Sequence, residues 1–271
     1  MLLAIDIGNT NVVCAVFDGE NLVKEFRMAT DINRTSDEYT ATLIGLMNSM
    51  NLVERNFSSS ILSSVVPDLT GPFISVVTNI TGKKPFLLSS DQYYKLPLKI
   101  PQTAVHEIGT DLLANAVEAW KRFKCANIVV DFGTALSIIT TDSKANIQGV
   151  AIAPGIKTAV HSLFAKTAQL PEVPLVAPKN ALGQNTIHSI QAGIILGYKS
   201  LVEGLIARTK QDLYELTGDK AQDIKVIATG GLNNVLKPIT DVFSDVDKNL
   251  TMYGLKTIAE IFTSYENLHV Q

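Results

Sequence analysis

Two acid–glycine phrases recur in this chain. Residues 3–10 read LAIDIGNT and residues 128–135 read IVVDFGTA, so that Asp6 and Gly8 correspond to Asp131 and Gly133. Each phrase is an apolar run, an acid and a glycine-containing turn, followed by a second apolar run, NVVCAVF after the first and LSII after the second. That pattern reads as a β-hairpin with a carboxylate at its turn, one per half of the chain. Such a turn points backbone N–H groups at whatever lies over it, and the acid adds an anionic oxygen. Backbone amides suit phosphate oxygens, and a carboxylate suits a hydrated cation. The duplication therefore predicts a nucleotide–metal cleft between two related domains. Asp6 is placed to hold Mg²⁺ through water, because Mg²⁺ keeps several waters and few carboxylates. Gly8, Asn9 and Thr10 offer phosphate donors, Thr134 offers another, and Asp131 is a second cation ligand. Asp, Gly and Asn are also ordinary turn residues; the second copy is what favours chemistry over a plain turn.

Gly109-Thr110-Asp111 stands at the start of a predicted helix. Thr110 or Asp111 could cap that helix. Asp111 could equally accept the proton of an alcohol attacking ATP, since phosphoryl transfer needs positioning, charge stabilisation and one base. Pro154-Gly155 and Gly230-Gly231 are weaker candidates for backbone approach to a ligand. Asp131-Phe132-Gly133 spells a kinase motif without its context: no glycine-rich loop precedes it and no catalytic loop of that class follows. A Walker A pattern is absent as well. His106, His161, His188 and His269 lack metal-ligand spacing, and Asn185-Thr186 reads as an exposed cap before a long helix.

These residues must be carried by a definite set of elements. Strands are predicted over 2–7, 11–17 and 22–28, with Asp18-Gly19 as a turn. A helix follows over 36–50 with Ser36 as N-cap, then a strand over 59–67, a helix over 69–81 and a short strand over 85–89. Residues 96–107 read as loop. Residues 109–123 form a helix with Leu112, Leu113, Ala116, Ala119, Trp120 and Phe123 at helical spacing. The second half repeats the order: strands over 127–131, 136–141 and 147–153, helices over 156–168 and 187–216, a strand over 224–231 and a closing helix over 254–265. The expected division is an N-terminal domain of residues 1–117 and a C-terminal domain of residues 118–271.

The chain has 271 residues, 46% of them apolar and 18% charged, enough for a substantial core. A formal net charge of −3 and a pI of about 5.8 argue against a nucleic-acid or membrane-surface binder. Cys14 and Cys125 offer no disulfide framework or zinc spacing. No leader-like N-terminus is apparent and no uncharged apolar run reaches the ~18 residues of a membrane span. The expectation is a cytoplasmic protein that engages neither nucleic acid nor membrane.

With those residues in place, the chain resembles the type III pantothenate kinases of the acetate and sugar kinase/Hsp70/actin superfamily. DIGNTN at 6–11, TSDEY at 35–39, SSVVP at 63–67, GTD at 109–111, DFGTA at 131–135, APG at 153–155, TAQLP at 167–171, NTIHSIQAG at 185–193 and TGGL at 229–232 carry the likeness in order. The resemblance implies an α/β fold of two actin-like (ribonuclease H-like) domains with duplicated βββαβα topology. It implies a homodimer that phosphorylates pantothenate with ATP, the first step to coenzyme A, using Mg²⁺ and a monovalent cation, K⁺ or NH₄⁺. It makes Asp111 the general base, assigns ATP to Asp6, Ile7, Gly8, Asn9, Thr10, Asn11, Val12, Val13 and Thr134, and gives the monovalent cation to Asp131. Pantothenate falls to Ile100, Gly109, Thr110, Asp111, Leu112 and Thr186, in a pocket completed across the dimer interface.

The chain departs from that pattern on the acceptor side. Leu112 stands where the family has Arg, LKIPQTAVHEI contains no Tyr where the family has one, with Ile100 nearest by position, and Gly149-Val150 replaces a Gly-Gly pair. Losing a charge-assisted contact at the reacting centre is worth roughly 1.5–3 kcal/mol, about one to two decades in rate; Lys157 and Arg34 are the other cations considered for that place. Two alternatives follow from the departures: a same-fold kinase for another small alcohol, and a catalytically weak paralogue acting as a nucleotide-binding regulator.

Overall fold

The computed structural model describes residues 1–52, 56–165, 173–231 and 233–269. TAQLP at 167–171, the end of the helix expected over 156–168, and Leu232 lie outside the described residues. The chain divides into two compact units, Met1–Glu118 with Thr251–Gln271, and Ala119–Leu250.

In the first unit, β1 (Leu2–Ile7), β2 (Asn11–Asp18) and β3 (Asn21–Ala29) form an antiparallel meander. Helix α1 (Ser36–Ser49) leads to β4 (Ser59–Ser64), which pairs parallel to β1. Helix α2 (Pro67–Thr81) then leads to β5 (Phe86–Leu87), giving the sheet order β3-β2-β1-β4-β5. Leu3, Ile5 and Ile7 of β1, with Val12, Cys14 and Val16 of β2, face Tyr39, Leu43 and Met47 of α1 and Leu69, Phe73 and Val76 of α2 in one buried cluster. Strand alternation puts Asp6 on the opposite face.

The cap of α1 is Thr35, one residue before the predicted Ser36. Thr35 Oγ1 accepts from Glu38 N (3.3 Å) and Glu38 Oε2 accepts from Thr35 N (2.8 Å), a reciprocal capping box. The strand expected to run to Pro67 ends at Ser64; Pro67 opens α2, where a missing N–H costs nothing.

Helix α3 (Thr110–Phe123) precedes the second sheet. There β6 (Asn127–Phe132), β7 (Ala135–Thr141) and β8 (Ile147–Pro154) repeat the meander. Helices α4 (Ile156–Ala165) and α5 (Thr186–Gln191) follow, then a π-helical turn at Ala192–Leu196 and α6 (Gly197–Thr217). Strand β9 (Lys225–Thr229) pairs parallel to β6, α7 (Asn233–Leu236) follows, and β10 (Asp245–Val246) closes the order β10-β9-β6-β7-β8. The two sheets share one strand order and one pattern of directions, the duplicated actin-like, ribonuclease H-like arrangement. The continuous helical run Thr186–Thr217 is long and apolar enough by length and composition to cross a bilayer; its Ile195, Tyr198, Val202, Ile206 and Leu213 belong to the second core, with Ile128, Val130 and Phe132 of β6.

Helix α8 (Leu250–His269) departs from the expected division. Residues 118–271 were to form one domain, yet Thr251 onward groups with the first unit. Its contacts give the reason: Tyr253 packs tilted against Phe17 (5.5 Å between centroids), Phe262 meets Phe86 edge to face (5.8 Å), and the buried Lys256 ammonium binds Glu20 (2.7 Å) and Glu260 (2.6 Å). Thr251 Oγ1 and Thr257 Oγ1 donate to Asn115 Oδ1 (2.8 Å) and Glu118 Oε2 (2.7 Å) on α3.

Candidate active site

The first hairpin turn is closed by Gly8 N donating to Asn11 O (3.0 Å), and the second, one residue tighter, by Gly133 N donating to Ala135 O (3.1 Å). Asn9, Thr10 and Asn11 are exposed at the first tip, as are Gly133, Thr134 and Ala135 at the second. Ile7 and Val12 are fully buried and offer a ligand only their backbone. Thr30 braces the first tip, its Oγ1 donating to Gly8 O (2.6 Å) and its N–H to Thr10 O (3.1 Å).

The second tip is braced by the two glycine turns. Gly155 N (3.1 Å) and Thr158 Oγ1 (2.8 Å) both donate to Thr134 O. A side chain at Gly155 would collide with Gly133 O and Thr134 O, and one at Gly230, whose φ is +85°, with Asp131 Oδ1 and Phe132 O. Gly155 and Gly230 hold the hairpin's shape. Tyr198, just after the π-helical turn, donates its hydroxyl to Pro154 O (2.7 Å) and fixes the Gly155 turn in place.

Asp111 sits in the first turn of α3. Gly109 carries no side chain because the Asp111 carboxylate folds back over it. Asp111 Oδ1 accepts from Leu112 N (2.8 Å), and Gly109 O accepts from Leu113 N (3.0 Å) at the helix start. Burial pushes the Asp111 carboxyl above its ordinary range, against the opposing pull of its own backbone and that of Leu112. A raised carboxylate is a stronger base. Thr110 is held from below: Ser63 Oγ on β4 lies 2.9 Å from Thr110 Oγ1 and donates to Asp6 Oδ1 (2.7 Å). Asp6, Ser63 and Thr110 thus form one hydrogen-bonded chain in the first unit, with Asp111 the next residue along α3.

Gly109 and Thr110 also line a cavity of about 420 Å³, with Ser64, Val65, Thr70, Tyr93, His106 and Glu107 among its walls. Tyr93 comes from a 3-10 turn, Ser90–Lys95, that the loop-and-strand reading of this stretch omitted. Burial, then the charge of Asp111, push its phenol up. The turn is locked onto α8 by Lys95, whose ammonium lies 5.3 Å from the Phe262 ring centre and 4.9 Å from that of Tyr265. YYK at 93–95 was the available sequence signal, an aromatic pair with a cation.

Other expected residues lie elsewhere. Ile100 is half-buried and does not line this cavity; Leu112 is buried, turned into the protein. Thr186 is exposed at the start of α5 in the second unit, where Asn185 is the cap, its Oδ1 accepting from His188 N (2.9 Å). Arg34 lies 5.5 Å from the Tyr39 ring centre and Lys157 is exposed on α4. Among the described residues no cluster of His, Cys, Asp or Glu forms a metal site. Asp131 faces Thr229 across the parallel β6–β9 pair, and Thr229 Oγ1 is buried without a hydrogen-bond partner among the described residues. An oxygen so placed beside a carboxylate fits a hard cation.

The chain is similar to known proteins along nearly its whole length. The family model for type III pantothenate kinase matches residues 2–208. A type III pantothenate kinase of Treponema pallidum (strain Nichols) is 40% identical over 265 residues, 96% of this chain and 94% of that one. One from Thermomicrobium roseum is 38% identical over 269 residues, 99% and 98% of the two chains. The crystal structure of a conserved Baf family protein from Campylobacter jejuni superimposes with a TM-score of 0.60 at 20% identity, covering 98% of this chain and 99% of that one, a likeness of fold. The duplicated hairpins, the acid opening α3 and near-full-length identity of this order lead to one conclusion: the chain belongs to the type III pantothenate kinase family.

Proposed function

We propose that the protein transfers the γ-phosphoryl group of ATP to the primary hydroxyl of pantothenate, giving 4′-phosphopantothenate and ADP, the first step of coenzyme A synthesis. The observation that carries the chemistry is the half-buried Asp111 at the start of α3, its carboxyl raised by desolvation, next to Gly109 and Thr110 in the wall of a cavity of about 420 Å³. The acceptor oxygen forms a bond to the γ-phosphorus, the bond from that phosphorus to the β–γ bridging oxygen breaks, and the hydroxyl proton passes to Asp111. ADP leaves with the bridging oxygen. A positioned base of this kind typically contributes about 10²–10⁴-fold.

The residues from Asp6 to Val13, with Thr134, hold the ATP phosphates, chiefly through backbone N–H groups at the exposed tips. Asp6 would hold Mg²⁺ through water, and Asp131 with Thr229 Oγ1 would hold K⁺ or NH₄⁺. The metal's chemistry is to neutralise charge on the phosphate oxygens during transfer. Pantothenate occupies the cavity walled by Gly109, Thr110 and Tyr93, with Thr186 as a further contact.

The working form in this reading is a cytoplasmic homodimer, with both cysteines as free thiols. Support for a second copy comes from β8, the edge of its sheet, which exposes Val150 (41%) and Ile152 (71%). An open apolar edge strand is a template for pairing, and two-fold closure is the commonest way to bury one. An ADP-release assay with and without pantothenate, and with K⁺ exchanged for Na⁺, tests the assignment. ADP release independent of pantothenate, or confined to another alcohol, would refute the acceptor.

A further inference from the structure

We infer that Ser63 is a positioning residue for phosphoryl transfer, coupling the acid of the first hairpin to the helix start that carries the base. The inference rests on the reading of Asp111 as that base. Ser63 lies on β4, directly beside Asp6 in the parallel β1–β4 register, and is fully buried. A hydroxyl at such a place is costly unless it is hydrogen-bonded, and both of its contacts are to site residues: Asp6 Oδ1 at 2.7 Å and Thr110 Oγ1 at 2.9 Å.

The polarity of this chain follows from donor counting. An ionised carboxylate only accepts, so the one Ser63 proton goes to Asp6. Ser63 must then accept from Thr110, whose hydroxyl proton is turned inward. Thr110 also lines the cavity, and there it can act only as an acceptor. It therefore selects a ligand that donates an O–H or N–H at that point. The same bonds tie the first turn of α3, and Asp111 with it, to the register of the phosphate-binding hairpin.

The second sheet supplies an internal comparison. Thr229 occupies the position beside Asp131 that Ser63 occupies beside Asp6. Its hydroxyl has no partner among the described residues. The linkage to a helix start is made in the unit that carries the base.

The test is a set of variants assayed for kcat, for KM of ATP and of pantothenate, and for Tm. Ser63→Ala should lower kcat about tenfold, ~1.4 kcal/mol in barrier, with KM for ATP within twofold and Tm within a few degrees of the parent. Ser63→Thr, the residue type found beside Asp131, should restore most of the rate. Thr110→Val should lose kcat to a similar extent, and the Ser63→Ala/Thr110→Val double variant should be no slower than either single one, as expected of two members of one chain. Parent-like kcat in Ser63→Ala, or fully additive losses in the double variant, would overturn the coupling. Should Ser63→Ala fail to fold, Thr110→Val decides: unchanged kcat in that variant removes the coupling. Asp111→Asn separates the two levels. If it is inactive while Ser63→Ala and Thr110→Val keep the parent kcat, the base assignment stands and only the coupling falls; if it retains the parent rate, the base assignment itself fails.

Discussion

Asp6 and Asp131 hold the same position in two sheets of the same strand order. Asp6 pairs with Val13 on the antiparallel side and Ser63 on the parallel side; Asp131 pairs with Ser137 and Thr229. Each acid stands just before the turn, on the face its neighbours on the strand leave open, and each turn tip is exposed.

Asp6→Asn is expected to weaken stabilisation by ATP–Mg²⁺. A ligand that binds only the native state raises stability by mass action, so a tenfold weaker Kd lowers that gain by about 1.4 kcal/mol at saturating nucleotide. Thermal melts with and without ATP–Mg²⁺ measure it. An unchanged nucleotide shift would remove Asp6 from the site.

Asp111→Asn should fold, bind ATP and turn over about 10²–10⁴-fold more slowly. The parent rate should climb with pH through the raised carboxyl value and then level off, and the variant should lack that limb. Stability carries its own sign. Burial raises the folded-state carboxyl above its unfolded value, so its contribution is complete below about pH 3.9 and is lost as pH rises through the folded value. Asn is uncharged throughout. At pH 7.5 the variant should be at least as stable as the parent, and that advantage should vanish near pH 4. A variant rate within about threefold of the parent would reduce Asp111 to a structural residue.

Tyr93→Phe keeps the ring that fills the cavity wall and removes only the hydroxyl. A neutral hydrogen bond is worth about 0.5–1.5 kcal/mol, so KM for pantothenate should rise roughly two- to tenfold with KM for ATP unchanged. Equal effects on both substrates would place Tyr93 outside the acceptor pocket.

Ile152→Glu puts a charge on the exposed face of β8. In a dimer closed across that strand it would bring a buried, unpaired carboxylate to the interface, a loss of several kcal/mol. Light scattering should then report a shift from dimer to monomer at micromolar concentration, with lowered activity. A parent that is already monomeric and fully active would sink the dimer proposal.

The sequence alone determined the local structure of the hairpins and of α3. Alternating apolar residues around Asp6 and Asp131 dictated the hairpins, because strand burial has a period of two and needs no distant information. The apolar stripe through Leu113, Ala116 and Ala119 dictated α3 in the same way, and placed Asp111 at its start. What the tertiary structure decided are contacts between segments far apart in the chain. Ser63 meets Asp6 across 57 residues and Thr110 across 47. Tyr93 reaches the cavity on a short 3-10 turn with no periodic signature, held by rings of α8. Helix α8 carries an apolar face that any core could have buried, and the aromatic contacts of Phe17 and Phe86 with Tyr253 and Phe262 assign it to the first unit. Periodicity records which face of an element is buried, not which surface buries it, and a side-chain hydrogen bond leaves no period at all.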